Sequence, residues 1–83
     1  MKKPKEYSSS IYVRVFLKNS AYFYFVMESY EGLAICVTLD FKPGDPTRDI
    51  EVKFSPDSEE DVREILKALH KEIPFEFITK EQV

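Results

Sequence analysis

Residues 19–31, NSAYFYFVMESYE, decide the fold, because their composition and their order favour different secondary structures. Aromatic and branched side chains dominate from Ala21 to Met27, so propensity alone indicates a β-strand. A half-buried strand, however, alternates apolar and polar side chains. This run instead places six large side chains in succession from Tyr22 to Met27. The spacing of the polar residues therefore has to decide.

Two stripes of helical period run through this stretch and predict an α-helix. The polar stripe comprises Ser20, Glu28 and Glu31, and the apolar stripe comprises Phe23, Val26, Met27 and Tyr30. Asn19 or Ser20 is predicted to cap the helix at its N-terminus, and Gly32 to supply the left-handed residue that follows its C-terminus. Tyr24 is an aromatic residue within the polar stripe. We expect it on the outward face, either half-exposed or in a contact.

The remaining elements follow from alternation and from turn residues. Strands are predicted at residues 11–17, 33–41, 50–54 and 75–78. A second helix is predicted over residues 55–73, and its apolar face comprises Val62, Ile65, Leu66, Leu69 and Ile73. Its start is predicted at Ser55 with Pro56 following, or at a capping box formed by Asp57 and Glu60.

The resulting order, β-α-β-β-α-β, predicts the ferredoxin-like α+β sandwich. In this fold two helices pack on one face of a four-stranded antiparallel sheet. The first and third strands are central, and the second and fourth form the edges. A single domain is predicted at residues 11–79, with a mobile N-terminal tail at residues 1–10 and a C-terminal tail at residues 80–83.

Composition restricts the class of protein. A chain of 83 residues makes one domain, and its net charge of −3 disfavours general nucleic-acid binding, which depends on Lys and Arg. Cys36 is the single cysteine, which excludes an internal disulfide framework and favours a reducing, cytoplasmic location. The sequence shows no signal peptide and no apolar run of membrane-helix length. Abundant charged residues, with Asn19 and Gln82 as the only amides, favour a thermophilic source.

The sequence carries no motif on which an enzyme assignment can rest. It contains no GxGxxG, P-loop or GxSxG pattern. His70 is the only histidine, and no second histidine or cysteine joins it in a metal-binding set, so we expect it to be solvated. Cys36 is expected to be a small, half-buried apolar residue. We therefore predict a protein that is not an enzyme, with no catalytic residue, no cofactor and no metal.

The sheet face away from the helices is the first candidate site. The residues predicted to be exposed on it are Tyr12, Arg14, Phe16, Ala34, Cys36, Thr38, Glu51 and Lys53. Its apolar centre predicts a protein interface, either with a second copy of the chain or with a different partner. The residues predicted in this interface are Tyr12, Arg14, Phe16, Tyr24, Cys36 and Thr38.

RNA-recognition motifs have the same topology and stack bases on aromatic residues of the sheet. Tyr12, Phe16 and Arg14 would serve this purpose in the present chain. Glu51 and Lys53, however, stand in the third strand where that motif carries aromatic residues, and the chain is acidic. RNA binding is therefore disfavoured.

The second candidate site is the loop predicted at Lys18, Asn19 and Ser20, between the first strand and the first helix. The N–H groups at the start of a helix attract an anion or a carboxylate, so a small ligand would bind there. Ordinary capping by Asn19 or Ser20 is the alternative, and the sequence favours it.

Three short motifs occur in order along the chain: Glu28-Ser29-Tyr30-Glu31-Gly32-Leu33, Thr38-Leu39-Asp40 and Ser55-Pro56-Asp57. With the segments around them they resemble a family of short bacterial proteins to which no activity is assigned. The resemblance covers nearly the whole chain after the tail. It implies a polar residue at the position of Tyr24, which supports the helix, and it implies no activity.

The predicted topology is also similar to that of ACT domains, small regulatory modules that bind amino acids at dimer interfaces. This resemblance implies that two copies of the chain pair. ACT domains usually carry a glycine between the first strand and the first helix. The loop predicted here, Leu17-Lys18-Asn19-Ser20, has none, which argues against amino-acid binding at this position.

These observations lead to three hypotheses in order of preference. The first is an ACT-like regulatory or protein-interaction module that acts as a homodimer or with a protein partner, away from membranes. The second is a sensor of a small ligand, an amino acid or an anion. The third is an RNA-binding module.

Overall fold

The computed structural model describes residues 6–83, in which helices and strands follow the predicted order. They are β1 (Ser9–Phe16), α1 (Leu17–Glu28), β2 (Ala34–Thr38), β3 (Thr47–Phe54), α2 (Glu59–Glu72) and β4 (Phe75–Ile78), with short 3-10 helices at Pro56–Ser58 and Lys80–Gln82. β1 begins at Ser9, so Ser9 and Ser10, which were predicted in the tail, belong to the sheet. Residues 1–5 of the predicted tail lie outside the described residues.

The strands form one antiparallel sheet in the order β2-β3-β1-β4. β1 lies opposite β3 along its whole length, from Ser9 opposite Phe54 to Phe16 opposite Thr47. β2 pairs with β3 and β4 pairs with β1, so β2 and β4 form the edges. Both helices contribute to one core on a single face of this sheet, which confirms the ferredoxin-like α+β architecture.

The core is formed where alternate residues of the central strands meet one face of each helix. Its buried residues are Ile11, Val13, Val15, Phe23, Met27, Ile50, Val52, Phe54, Val62, Leu66, Leu69 and Phe75. Complete burial of one such large side chain contributes about 1.5–3 kcal/mol. Phe23 of α1 reaches across to β4, where its ring meets the ring of Phe75 edge to face at 5.6 Å. The predicted apolar stripe is therefore confirmed at Phe23, Val26 and Met27, which pack in or against the core. It is wrong at Tyr30, which follows the end of α1 and is 46% exposed.

α1 starts directly after β1, without the predicted loop. Phe16 is the N-cap residue and makes no side-chain cap, and the helix begins at Leu17. The Leu17 N–H donates to the Pro46 carbonyl at 2.8 Å, and the Ser20 hydroxyl donates to the Leu17 carbonyl at 2.8 Å. The predicted caps at Asn19 and Ser20 are therefore wrong. The loop before β3 accepts the first N–H of the helix, so the chain turns into α1 earlier than the capping residues suggest.

The end of α1 is also earlier than predicted. The helix ends at Glu28, and Ser29 follows as its C-cap with its N–H directed to the Phe25 carbonyl at 3.1 Å. Gly32 adopts the predicted left-handed conformation, with φ of 74°. It does so in the turn that leads into β2, where Leu33 donates to the Tyr30 carbonyl at 3.0 Å. Gly32 thus shapes the connection to β2 rather than the last turn of the helix.

The outward face of α1 carries Phe25, not Tyr24. Phe23 and Met27 are buried as predicted, and Tyr24 packs against the margin of the core. Phe25 is 70% exposed, the highest value among the exposed large apolar side chains of residues 6–83. Tyr24 is half-exposed, as expected, but the predicted outward direction of its side chain is wrong. Successive residues of an α-helix are about 100° apart, so once Phe23 faces the sheet the outward direction falls on Phe25.

Candidate functional site

The sheet face opposite the helices, called the open face here, is organised around Arg14. The Arg14 guanidinium forms a bidentate pair with Asp49 of β3, at 2.7 Å from Nε to Oδ1 and 3.0 Å from Nη2 to Oδ2. Nη2 also donates to the Gln82 carbonyl at 2.9 Å, and Nη1 lies 3.8 Å from a carboxylate oxygen of Glu76. The hydrogen bond to Asp49 is the main cause that raises the pKa of Arg14. The guanidinium is therefore held in one orientation.

A second polar group on the open face surrounds Glu51. The Ser10 hydroxyl donates to Glu51 Oε2 at 2.7 Å, and the Tyr12 hydroxyl donates to the same oxygen at 3.2 Å. Desolvation by neighbouring atoms, followed by the charge of Glu51, raises the pKa of Tyr12. With Arg14 paired to Asp49, the centre of the open face is polar and internally bonded. The expectation of an apolar centre is therefore wrong.

The C-terminal segment covers part of the open face. Ile78 lies opposite Tyr12, which places it on the open side, and yet it is only 8% exposed. The chain continues into the 3-10 helix Lys80–Gln82, where Thr79 and Gln82 form a capping box. The Gln82 carbonyl accepts the hydrogen bond from Arg14 described above. The segment predicted as a tail is therefore tied to the sheet.

The residues of β2 that lie on the open face are Ile35 and Val37, not the predicted Ala34, Cys36 and Thr38. Its register places Ile35 opposite Lys53 and Val37 opposite Glu51, both of which are open-face positions of β3. Ile35 and Val37 are accordingly 46% and 39% exposed. The sequence missed these two residues because β2 is apolar on both sides, so its alternation does not reveal which side is buried.

Ala34, Cys36 and Thr38 lie on the side of the helices, and their predicted exposure on the open face is wrong. Cys36 lies opposite Val52 and Thr38 opposite Ile50, two core residues of β3. Burial raises the pKa of the Cys36 thiol to about 11, with a smaller effect from the charge of Glu28. The thiol is therefore protonated at neutral pH and packs as a small apolar group, as the sequence predicted.

Two of the predicted interface residues contact each other within the chain. The hydroxyl groups of Tyr24 on α1 and Thr38 on β2 are hydrogen bonded to each other. The Tyr24 ring also packs against the core. Tyr24 therefore joins the helix to the edge strand.

Lys18, Asn19 and Ser20 lie in the first turn of α1 and do not form the predicted loop. Lys18 is exposed, with its Nζ 6.0 Å from the centre of the Phe16 ring, whereas Asn19 and Ser20 are half-buried. A groove of about 330 Å³ lies nearby on the open side, lined by Arg14, Phe16, Thr47, Pro74, Phe75 and Glu76. None of the three predicted ligand residues lines it. The structure thus brings Arg14 and Phe16 together at this groove and leaves the predicted anion site apart from it.

His70 belongs to an aromatic group at the β4 edge of the domain. It is exposed, as predicted, and its ring meets Phe75 edge to face at 4.9 Å and lies nearly parallel to Phe77 at 6.2 Å. Within residues 6–83, no group of three or more His, Cys, Asp or Glu side chains is placed to hold a metal ion. In the same part of the chain, no helix has the length and apolar character needed to cross a membrane.

The chain forms a small ferredoxin-like α+β domain, in which two helices cover one face of the sheet and leave the open face polar. Residues 13–73 match the domain of unknown function DUF4911, and the chain belongs to this family. The match runs from β1 through α2 and includes β2. No curated protein and no solved structure gives a significant match to the chain.

Proposed function

We propose that the protein is a regulatory or protein-interaction module without enzymatic activity, and that it acts as a homodimer joined through the free edge of β2. The observation that carries the proposal is that β2 is an edge strand without the usual protection. None of its residues, Ala34–Thr38, is charged or a proline. Folded proteins commonly protect exposed edges with such residues, because unpaired backbone groups otherwise recruit another strand.

The other edge of the sheet, formed by β4, is protected against pairing with a further strand, unlike β2. β4 is a strand of 4 residues that carries Glu76 and follows Pro74, both of which oppose pairing with a further strand. β2 instead presents Ile35 and Val37 half-exposed at its edge. A second copy that pairs there covers both aliphatic side chains and extends the sheet across the two chains. Such symmetric dimers are the commonest assembly of soluble proteins.

The two alternatives have weaker support. The ligand-sensor hypothesis depended on a loop at Lys18, Asn19 and Ser20, and these residues are helical. The RNA hypothesis depended on free aromatic and basic side chains on the open face. Tyr12 and Arg14 are bonded to Glu51 and Asp49, so base stacking there would have to compete with existing hydrogen bonds.

Sedimentation velocity at tens of micromolar protein tests the proposal. We expect a dimer for the unmodified chain and a monomer for Ile35→Lys, because a charge at this edge opposes strand pairing. Phe77→Lys is the matched control, since Phe77 is an exposed apolar residue on the opposite edge strand and should leave the dimer intact. Far-UV circular dichroism verifies that both variants are folded. A monomeric unmodified protein, or a dimer that Ile35→Lys leaves unchanged, contradicts the proposal.

A further inference from the structure

Successive residues of β2 direct their N–H and C=O groups alternately to β3 and to the free edge. One hydrogen bond shows which residues bond to β3 and which face the free edge. Leu39 lies opposite Asp49 when the β2–β3 register is continued by one residue. The Leu39 N–H donates to the Asp49 carbonyl at 2.9 Å, so this pair is a hydrogen-bonded one. Such pairs alternate with non-bonded pairs along an antiparallel ladder. The residues bonded to β3 are therefore Ile35 and Val37, and those that direct N–H and C=O groups to the free edge are Ala34, Cys36 and Thr38.

We infer that β2 pairs antiparallel with β2 of a second copy and that Cys36 lies opposite its own copy on the symmetry axis. This register rests on the proposed function. Directly opposed residues of an antiparallel pair lie on the same face, so in a symmetric pair one residue must face itself. Cys36 is the middle of the 5 residues of β2, and only this choice pairs the whole strand. The three outward-directed residues of each copy then form six N–H···O bonds across the axis.

The side chains of β2 fit a second copy because the strand matches itself when it is read in reverse. Ile35 falls opposite Val37 of the second copy, and Ala34 falls opposite Thr38 of the second copy. On the open face, the two Ile35–Val37 pairs bring together four aliphatic side chains that are half-exposed in a single chain. Directly opposed side chains have Cβ atoms about 4.5–5.5 Å apart, so these aliphatic side chains would cover one another. The occupant that this edge fits best is therefore the same strand.

A pair of cysteine variants tests the register, with Cys36→Ala as the common background that removes the native thiol. Ile35→Cys and Val37→Cys are made separately in this background and mixed in equal amounts under mild oxidation. In the inferred register, residues 35 and 37 of different copies form a non-bonded pair with Cα atoms about 4.5 Å apart, which a disulfide spans. Random mixing places half of the dimers in the mixed combination. We expect the mixture to form covalent dimers several-fold faster than either variant alone.

Each other outcome identifies a different arrangement. Faster linkage of Ile35→Cys alone places the axis at residue 35, and faster linkage of Val37→Cys alone places it at residue 37. Either result overturns the register while β2 pairing stands. Dimers of the reduced variants that never become linked place the interface elsewhere and overturn the register together with the proposed role of β2. A monomeric unmodified protein in sedimentation overturns the proposed function itself, which separates the two failures.

Discussion

The hydroxyl groups of Tyr24 and Thr38 are hydrogen bonded to each other and join the centre of α1 to the end of the edge strand β2. Both residues were predicted in an interface with another molecule. Within one chain they contact each other, and this contact joins α1 to β2. The hydrogen bond forms only when α1 directs Tyr24 toward β2 and when β2 directs Thr38 to the side of the helices.

This hydrogen bond is expected to contribute measurably to stability. Tyr24→Phe removes the hydroxyl, keeps the ring and should lower the free energy of unfolding by about 0.5–1.5 kcal/mol. Thr38→Val should have a similar effect. Urea denaturation of the two single variants and the double variant gives a double-mutant cycle that measures the coupling between them. If the bond is the common cause, the double variant loses less than the sum of the two single losses. Additive losses would mean that the two hydroxyls act independently.

Two phenylalanines of α1 provide a matched test of the orientation of the helix. Phe23 is fully buried and Phe25 is 70% exposed. Phe23→Ala is expected to lower the free energy of unfolding by about 3–5 kcal/mol, because it leaves a cavity. Phe25→Ala should change it by no more than about 0.5 kcal/mol. Chemical denaturation of both variants measures the difference, and comparable losses would rule out the observed rotation of α1.

The pairing of Arg14 with Asp49 depends on the shape of the guanidinium. Arg14→Lys retains the charge but loses the bidentate geometry, and we expect it to lower the free energy of unfolding by about 1–2 kcal/mol after allowance for solvent screening. Arg63→Lys is the control, because Arg63 pairs with Glu59 at 2.9 Å on the exposed surface of α2. That change should cost no more than about 0.5 kcal/mol. Equal losses for the two variants in thermal or urea denaturation would show that the Arg14–Asp49 pair stabilises the fold no more than the exposed Arg63–Glu59 pair does.

The raised pKa of Cys36 predicts a loss of stability in alkali. Burial raises this pKa from 9.0 to about 11, so well below pH 9 the thiol is neutral in both the folded and the unfolded chain. As the pH rises from 9 toward 11, the unfolded chain loses the thiol proton more readily, and folding is disfavoured. Urea denaturation at several pH values should give a steeper decline for the unmodified protein than for Cys36→Ala. Parallel declines would contradict the assigned burial of the thiol.

The turn before β2 requires a left-handed residue at Gly32. Its φ is 74°, and a Cβ atom added there would meet nothing within 4 Å, so a substitution is opposed by backbone strain and not by a clash. Gly32→Ala should therefore lower the free energy of unfolding by about 1–2 kcal/mol. Gly32→Asn should cost less, since asparagine tolerates this conformation. Thermal denaturation of the two variants tests the order, and a harmless Gly32→Ala would exclude left-handed strain as the reason for the glycine.

The sequence alone determined the order of the elements and thereby the topology. Residues 11, 13 and 15 alternate with polar or amphipathic neighbours in β1, as residues 50, 52 and 54 do in β3, and this pattern permits only one buried side. The apolar stripe of α2 and Pro74 after it delimit the second helix and place β4 at the predicted residues Phe75–Ile78. Where one side of an element is clearly polar, the pattern predicts both the structure and the buried face.

Tertiary structure decided the orientation of α1 and β2, the two elements that carry large apolar side chains on more than one side. In α1, aromatic residues occupy the inner and outer faces, and the contact of Phe23 with Phe75 selects the rotation that leaves Phe25 in solvent. In β2, only pairing with β3 determines that Ile35 and Val37 face outward while Cys36 faces the core. That register leaves Ile35 and Val37 half-exposed beside the free edge of β2. The physical reason is that burial is decided by what an element packs against, and an element with two apolar sides can satisfy the hydrophobic effect with either.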